Sequence, residues 1–170
     1  VFDLAPDPQQ WNLALQTDWL RAGLSLSRQA GASRLLIEHL DLDRLPDFGA
    51  HGGGGGSAWD LPVVEVEIAN LFQSDRRLGA LDFELQGQGE ELVARRIAGE
   101  LAGFNLPAEN PGQLIWHHGD TPHTELQAKV QFADLGQNLA FFGYERIVET
   151  DHGEFDIGLS WPGAPQDFAL

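Results

Sequence analysis

Apolar and polar residues alternate along most of this chain. Leu126, Ala128, Val130 and Phe132 share one parity against Glu125, Gln127, Lys129 and Gln131; Phe155, Ile157, Leu159 and Trp161 repeat the pattern against Glu154, Asp156 and Ser160. A period of two is the spacing of a strand with one dry and one wet face. Val64, Val66 and Ile68 alternate with Glu65 and Glu67, and Leu81, Phe83 and Leu85 with Asp82, Glu84 and Gln86. Upstream, Trp11, Leu13 and Leu15, then Leu24 and Leu26, predict two strands or one bent strand. In "SRLLIEHLDLDRL" both parities hold leucines, so a strand is expected over that stretch with its inward face left open.

Less regular stretches follow. "EELVARRIAGELAGFNL" has apolar spacings that also suit a helix, but Gly99 and Gly103 dilute helix propensity and strands are expected. "PAENPG" reads as a turn and "QLIWHHG" as a short strand. A helix is predicted over 135–142: Asp134 can cap it, Leu135, Leu139 and Phe142 share a face, and Gly143 suits the C-terminal left-handed position. The expected fold is therefore all-β with one short helix, its strands antiparallel.

The run "GGGGGS" at 52–57 divides the chain into an N-terminal β segment, 1–51, and a longer one, 58–170. So pure a glycine tract is expected to be an engineered flexible joint, its ends on the order of 14 Å apart. It is a poor phosphate cradle, because no Lys-Ser or Lys-Thr follows it. Val1 and the absence of methionine lead us to expect a mature or excised fragment.

Charge and composition narrow the function. Twenty-six acidic against ten basic residues leave a net charge of −16, which repels nucleic-acid phosphates and anionic headgroups but not uncharged acyl chains. Without cysteine there are no disulfides, thiolate nucleophiles or thiolate metal sites. No apolar run reaches the roughly 18 residues of a membrane-spanning helix. Nucleophile elbows, His-Glu-x-x-His helices and EF-hand loops are missing from the sequence, and no carboxylate pair is marked by its spacing, so neither an enzyme nor a cofactor is expected.

In "HHGDTPH", His117, His118, Asp120 and His123 are possible metal ligands. Adjacent histidines in a strand face opposite ways and a proline turn separates His123 from them, so they read as solvated turn residues and no metal is expected. Asp41 and Asp43 read as a wet strand face rather than a calcium site. The five tryptophans, Trp11, Trp19, Trp59, Trp116 and Trp161, could stack on sugars or be buried; burial is the plainer reading.

"FFGYERIVETDHGEFDIGLSWPGAPQDFAL" places a helix ending in Gly-Tyr before a strand and a Trp161, Pro162, Gly163, Pro165 motif. This order, with the strand, turn, Leu-Gly, strand rhythm of "LPVVEVEIANLFQSDRRLGALDFELQGQ", resembles the AsmA-like family, YhdP branch. The likeness covers most of 60–170 and, more loosely, the first 50 residues. It implies a periplasmic segment of an inner-membrane-anchored protein of Gram-negative bacteria, with a sheet curled into an open hydrophobic groove that moves phospholipid between inner and outer membranes. Lining by Val64, Val66, Ile68, Leu81, Phe83, Leu85, Leu126, Val130, Phe132, Phe155, Ile157, Leu159 and Trp161 is then expected, with phospholipid acyl chains as the partner. Two other readings stay open: a closed sandwich core, and an acidic β-sandwich binding carbohydrate through tryptophans.

Overall fold

The computed structural model describes residues 2–6, 10–27, 33–44, 60–141, 143–145, 150 and 152–167. The glycine joint at 52–57, Trp59 and Phe142 lie outside the described residues. Among the described residues eleven strands form in chain order: β1 (Phe2–Pro6), β2 (Gln10–Gln16), β3 (Leu20–Ser27), β4 (Ser33–Asp41), β5 (Leu61–Gln73), β6 (Arg76–Gln88), β7 (Glu91–Leu101), β8 (Phe104–Leu106), β9 (Gly112–His117), β10 (His123–Phe132) and β11 (Gly153–Pro162). One α-helix, α1 (Leu135–Phe141), and 3-10 turns at Leu42–Arg44 and Pro165–Asp167 complete the described structure. The stretch around Asp18 is a true turn between β2 and β3, closed by the Thr17 hydroxyl, which accepts from the Leu20 amide at 2.9 Å.

All the strands belong to one sheet, in the order β1-β2-β3-β4-β5-β6-β7-β8-β10-β11, with β9 also between β7 and β10. β8 and β9 are both antiparallel to β7 and to β10, so they are two pieces of one strand interrupted at 107–111. The expected antiparallel sheet needs one correction: β4 and β5 pair in parallel, Leu35 opposite Val66 and Ile37 opposite Ile68. Parallel neighbours require a connection of about a dozen residues or more, and the chain from 42 to 60 supplies it.

Three irregularities keep the apolar residues on one face. Ile37 to Leu40 and Ile68 to Leu71 are odd spacings that would send the second residue to the wrong side, and β4 and β5 absorb them side by side. Asn70 bridges there, donating from Nδ2 to the Glu38 carbonyl at 2.9 Å and accepting from Arg77 Nε at 3.0 Å. In β7 the bulge falls at Arg96, whose φ is +55°, and it returns Ile97 to the side of Ala94. The helix-like spacing noted in this segment is the footprint of that bulge.

The backbones of β6 and β7 approach closely at two glycines. Gly79 and Gly99 adopt φ of +151° and +128°, and a Cβ at either would run into the backbone carbonyl of Glu100 or Ala80. Only glycine lets the two backbones approach so closely. The β5–β6 hairpin turns on Ser74 and Asp75, both at positive φ (51° and 60°), which matches the twist of the flanking strands.

Two apolar clusters result, one on β4–β5 (Ile37, Leu40, Val64, Val66, Ile68, Leu71) and one around Ala94, Ile97, Leu106 and Val130. Leu81, Phe83, Leu85 and Leu101 pack against both. The helix departs from expectation: its buried residues are Gly136 and Asn138, while Leu135 and Leu139 are half-buried. A polar tether explains this, because Asn138 Nδ2 donates to the Gly103 carbonyl at 3.0 Å and so fixes which side meets the sheet. Asp134 does cap α1, accepting from the Gln137 amide at 3.0 Å.

Candidate functional site

Register turns the alternating residues into rows that cross the sheet. Leu13, Leu24, Leu35, Val66 and Phe83 are successive partners from β2 to β6. Leu85, Ala94, Leu114, Leu126 and Leu159 continue from β6 through β7, β9 and β10 to β11. The inward parity of β3 and β4, open in the sequence, is thereby assigned to Leu24, Leu35 and Ile37.

All the residues named as lining share this face, but they differ in cover. Val64, Val66, Ile68 and Val130 are buried. Leu81, Phe83, Leu85, Leu126, Phe132, Ile157 and Trp161 are half-buried. Phe155 and Leu159, on the edge strand β11, are exposed at 40% and 39%. No second sheet is present among the described residues, so burial at the centre comes from the sheet's own apolar side chains meeting each other. Leu92, Ala94, Ile97, Leu114 and Trp116 belong to the same face and were not anticipated. The Arg96 bulge and the strand break at 107–111 hide their alternation.

The opposite face is charged. Arg34 meets Glu67 at 2.5 Å, Arg96 meets Glu84 at 3.1 Å, and Lys129 reaches Glu154 at 3.1 Å and Asp156 at 3.7 Å. Glu154, then Asp156, hold the Lys129 ammonium above the usual lysine value, since both carboxylates favour its charged form. Two cavities open mainly among residues of this polar side. One of about 240 Å³ lies between Arg34, Glu65, Glu84 and Arg96, and one of about 520 Å³ between Asn12, Ser25, Arg34 and Leu36. The smaller is walled mostly by charged side chains, whereas the larger also meets Leu13, Ala14 and Leu24, so its wall is mixed.

At the C-terminal end of β11, the Trp-Pro-Gly motif builds a lock. Trp161 Nε1 donates to the Ala164 carbonyl at 2.9 Å, and the Ala164 amide donates to Asp167 Oδ2 at 2.6 Å. Thr124, fully buried, donates from Oγ1 to the Gly163 carbonyl at 2.9 Å, and the Gly163 amide donates to the Pro122 carbonyl at 2.9 Å. The motif thus staples β11 to the start of β10. Trp19, Trp116 and Trp161 are all half-buried.

The histidines differ from expectation in one respect. The proline turn does not hold His123 apart from His117; it brings the two into direct register across β9 and β10. Compared with models of protein families, with curated proteins and with solved structures, the chain finds no match.

Proposed function

We propose that this chain is a non-enzymatic lipid-binding segment of an AsmA-like, YhdP-type protein, carrying phospholipid acyl chains across the periplasm from an inner-membrane anchor. The observation that carries the reading is the pair of apolar rows that cross one continuous sheet without a second sheet laid over them among the described residues. The Trp161, Pro162, Gly163 motif behind the resemblance also has a defined structural job, which supports its being a retained feature rather than a chance string.

Hydrocarbon would lie along the flanks of the face rather than at its centre. Val66 and its neighbours are already enclosed, whereas Leu159, Phe155 and Leu26 keep open surface on β11 and β3. Shielding a methylene contributes about 0.8 kcal/mol, so a chain is retained by many small equal contacts and can slide between them. No proton or electron moves, and none of the polar face is required for the step.

Native mass spectrometry of the purified chain tests this. Co-purifying phospholipid, displaced in a Phe155→Asp, Leu159→Asp double variant that melts like the parent, is the expected result. A lipid-free chain that takes up no fluorescent phospholipid from vesicles would end the proposal, and tryptophan quenching by oligosaccharide would favour the carbohydrate reading instead.

A further inference from the structure

The hairpin between β9 and β10 sets His117 directly opposite His123, and their rings stack with centroids 4.2 Å apart and planes 13° from parallel. Glu125, two residues beyond His123, returns to the same polar face. Its Oε1 lies 3.6 Å from His123 Nε2. Coordinating atoms of His117, His123 and Glu125 all fall within 4.8 Å of one another.

Each imidazole also has an oxygen near its Nδ1. His123 Nδ1 is 3.1 Å from the Thr121 carbonyl oxygen, which can only accept, so Nδ1 carries the proton and Nε2 keeps its lone pair in the neutral ring. His117 Nδ1 is 3.4 Å from Glu91 Oε1 on β7. A carbonyl or carboxylate on one ring nitrogen is the arrangement that orients a histidine to bind metal through the other.

From these contacts we infer a site for one divalent first-row ion of the zinc type, bound by Nε2 of His117, Nε2 of His123 and the Glu125 carboxylate, the two stacked imidazoles turning about their Cβ–Cγ bonds so that their in-plane lone pairs converge on the ion. Glu91 and the Thr121 carbonyl act as positioning groups. Two nitrogens and one oxygen suit a borderline ion better than calcium or magnesium, which take oxygen ligands. The side chains of His117, His123 and Glu125 are 28%, 40% and 46% exposed, so water can complete the shell, as at three-ligand zinc sites. A net charge of −16 adds long-range attraction for a dication. The ion would join β9, the longer piece of the interrupted strand, to β10 and, through Glu91, to β7.

The full chain, stripped with chelator, is titrated with zinc chloride by calorimetry and with cobalt chloride by visible absorption. One ion per chain, cobalt bands of low-coordinate intensity and a higher melting temperature with zinc are expected. His117→Ala and His123→Ala should each weaken binding by at least about tenfold and remove the bands, and Glu91→Gln should weaken it about tenfold with stoichiometry unchanged. Circular dichroism verifies the fold, and His117→Gln and His123→Gln replace the alanine variants if those unfold. Absence of saturable zinc binding, or binding undiminished in both histidine variants, overturns the assignment.

Discussion

Val66 and Phe83 are partners across β5 and β6, yet only one of them is enclosed: Val66 is 4% exposed, while Phe83 stays half-buried against both apolar clusters. Val66→Asp would bury an unpaired charge and should cost at least about 3 kcal/mol. Urea denaturation reads this directly. An unchanged midpoint would mean that the centre of the face is open to water.

The edge of the same face should respond differently. Phe155→Asp and Leu159→Asp change side chains that are 40% and 39% exposed, and each should shift stability by no more than about 1 kcal/mol. Equal destabilisation at β5 and β11 would contradict the gradient of cover from centre to edge.

At the β7 bulge, Arg96 occupies the left-handed region at φ +55°. Arg96→Gly relieves that conformation, and the ion pair it gives up with Glu84 is largely solvent-exposed and contributes little. Arg96→Val adds β-branching where it is least tolerated. The glycine variant should be the more stable of the two by about 1–2 kcal/mol, measured from denaturant midpoints. Deleting Arg96 should cost more, because residues 97–101 would then present their apolar side chains to the polar face.

Thr124→Val keeps shape but withdraws the donor that the Gly163 carbonyl uses at 2.9 Å. A loss of about 1–2 kcal/mol is expected. Hydrogen exchange in β11 should rise with it, since the lock that holds its end is weakened; protection unchanged across β11 would show that the staple is dispensable.

Lys129 sets the alkaline behaviour of the β10–β11 pair. Its value is raised in the folded chain, so its contribution is complete below the ordinary lysine value of 10.5 and is lost as pH climbs through the higher folded value. The parent should therefore lose stability more steeply above pH 10.5 than Lys129→Gln does. Parallel melting curves for the two proteins would refute this role.

Much of the fold was legible because side-chain alternation is a local property: a residue two places on returns to the same face whatever the rest of the chain does. Val64, Val66 and Ile68, or Phe155, Ile157 and Leu159, declare both a strand and its dry side without any partner. Asp134 and Gly143 announce the helix in the same local way. Pairing is not local, and the remaining features depend on it. The odd steps at Ile37 to Leu40, Ile68 to Leu71 and Ala94 to Ile97 look like broken patterns until neighbouring strands absorb the extra residue. Parallel pairing of β4 with β5, the join of β8 and β9 into one interrupted strand, and the meeting of His117 with His123 follow from which segments lie side by side. The burial gradient across the apolar face has the same origin. Sequence by itself determined which residues are apolar and on which parity; only the tertiary structure decided which of them are covered, because cover depends on distance from the sheet's edge and on how the sheet bends.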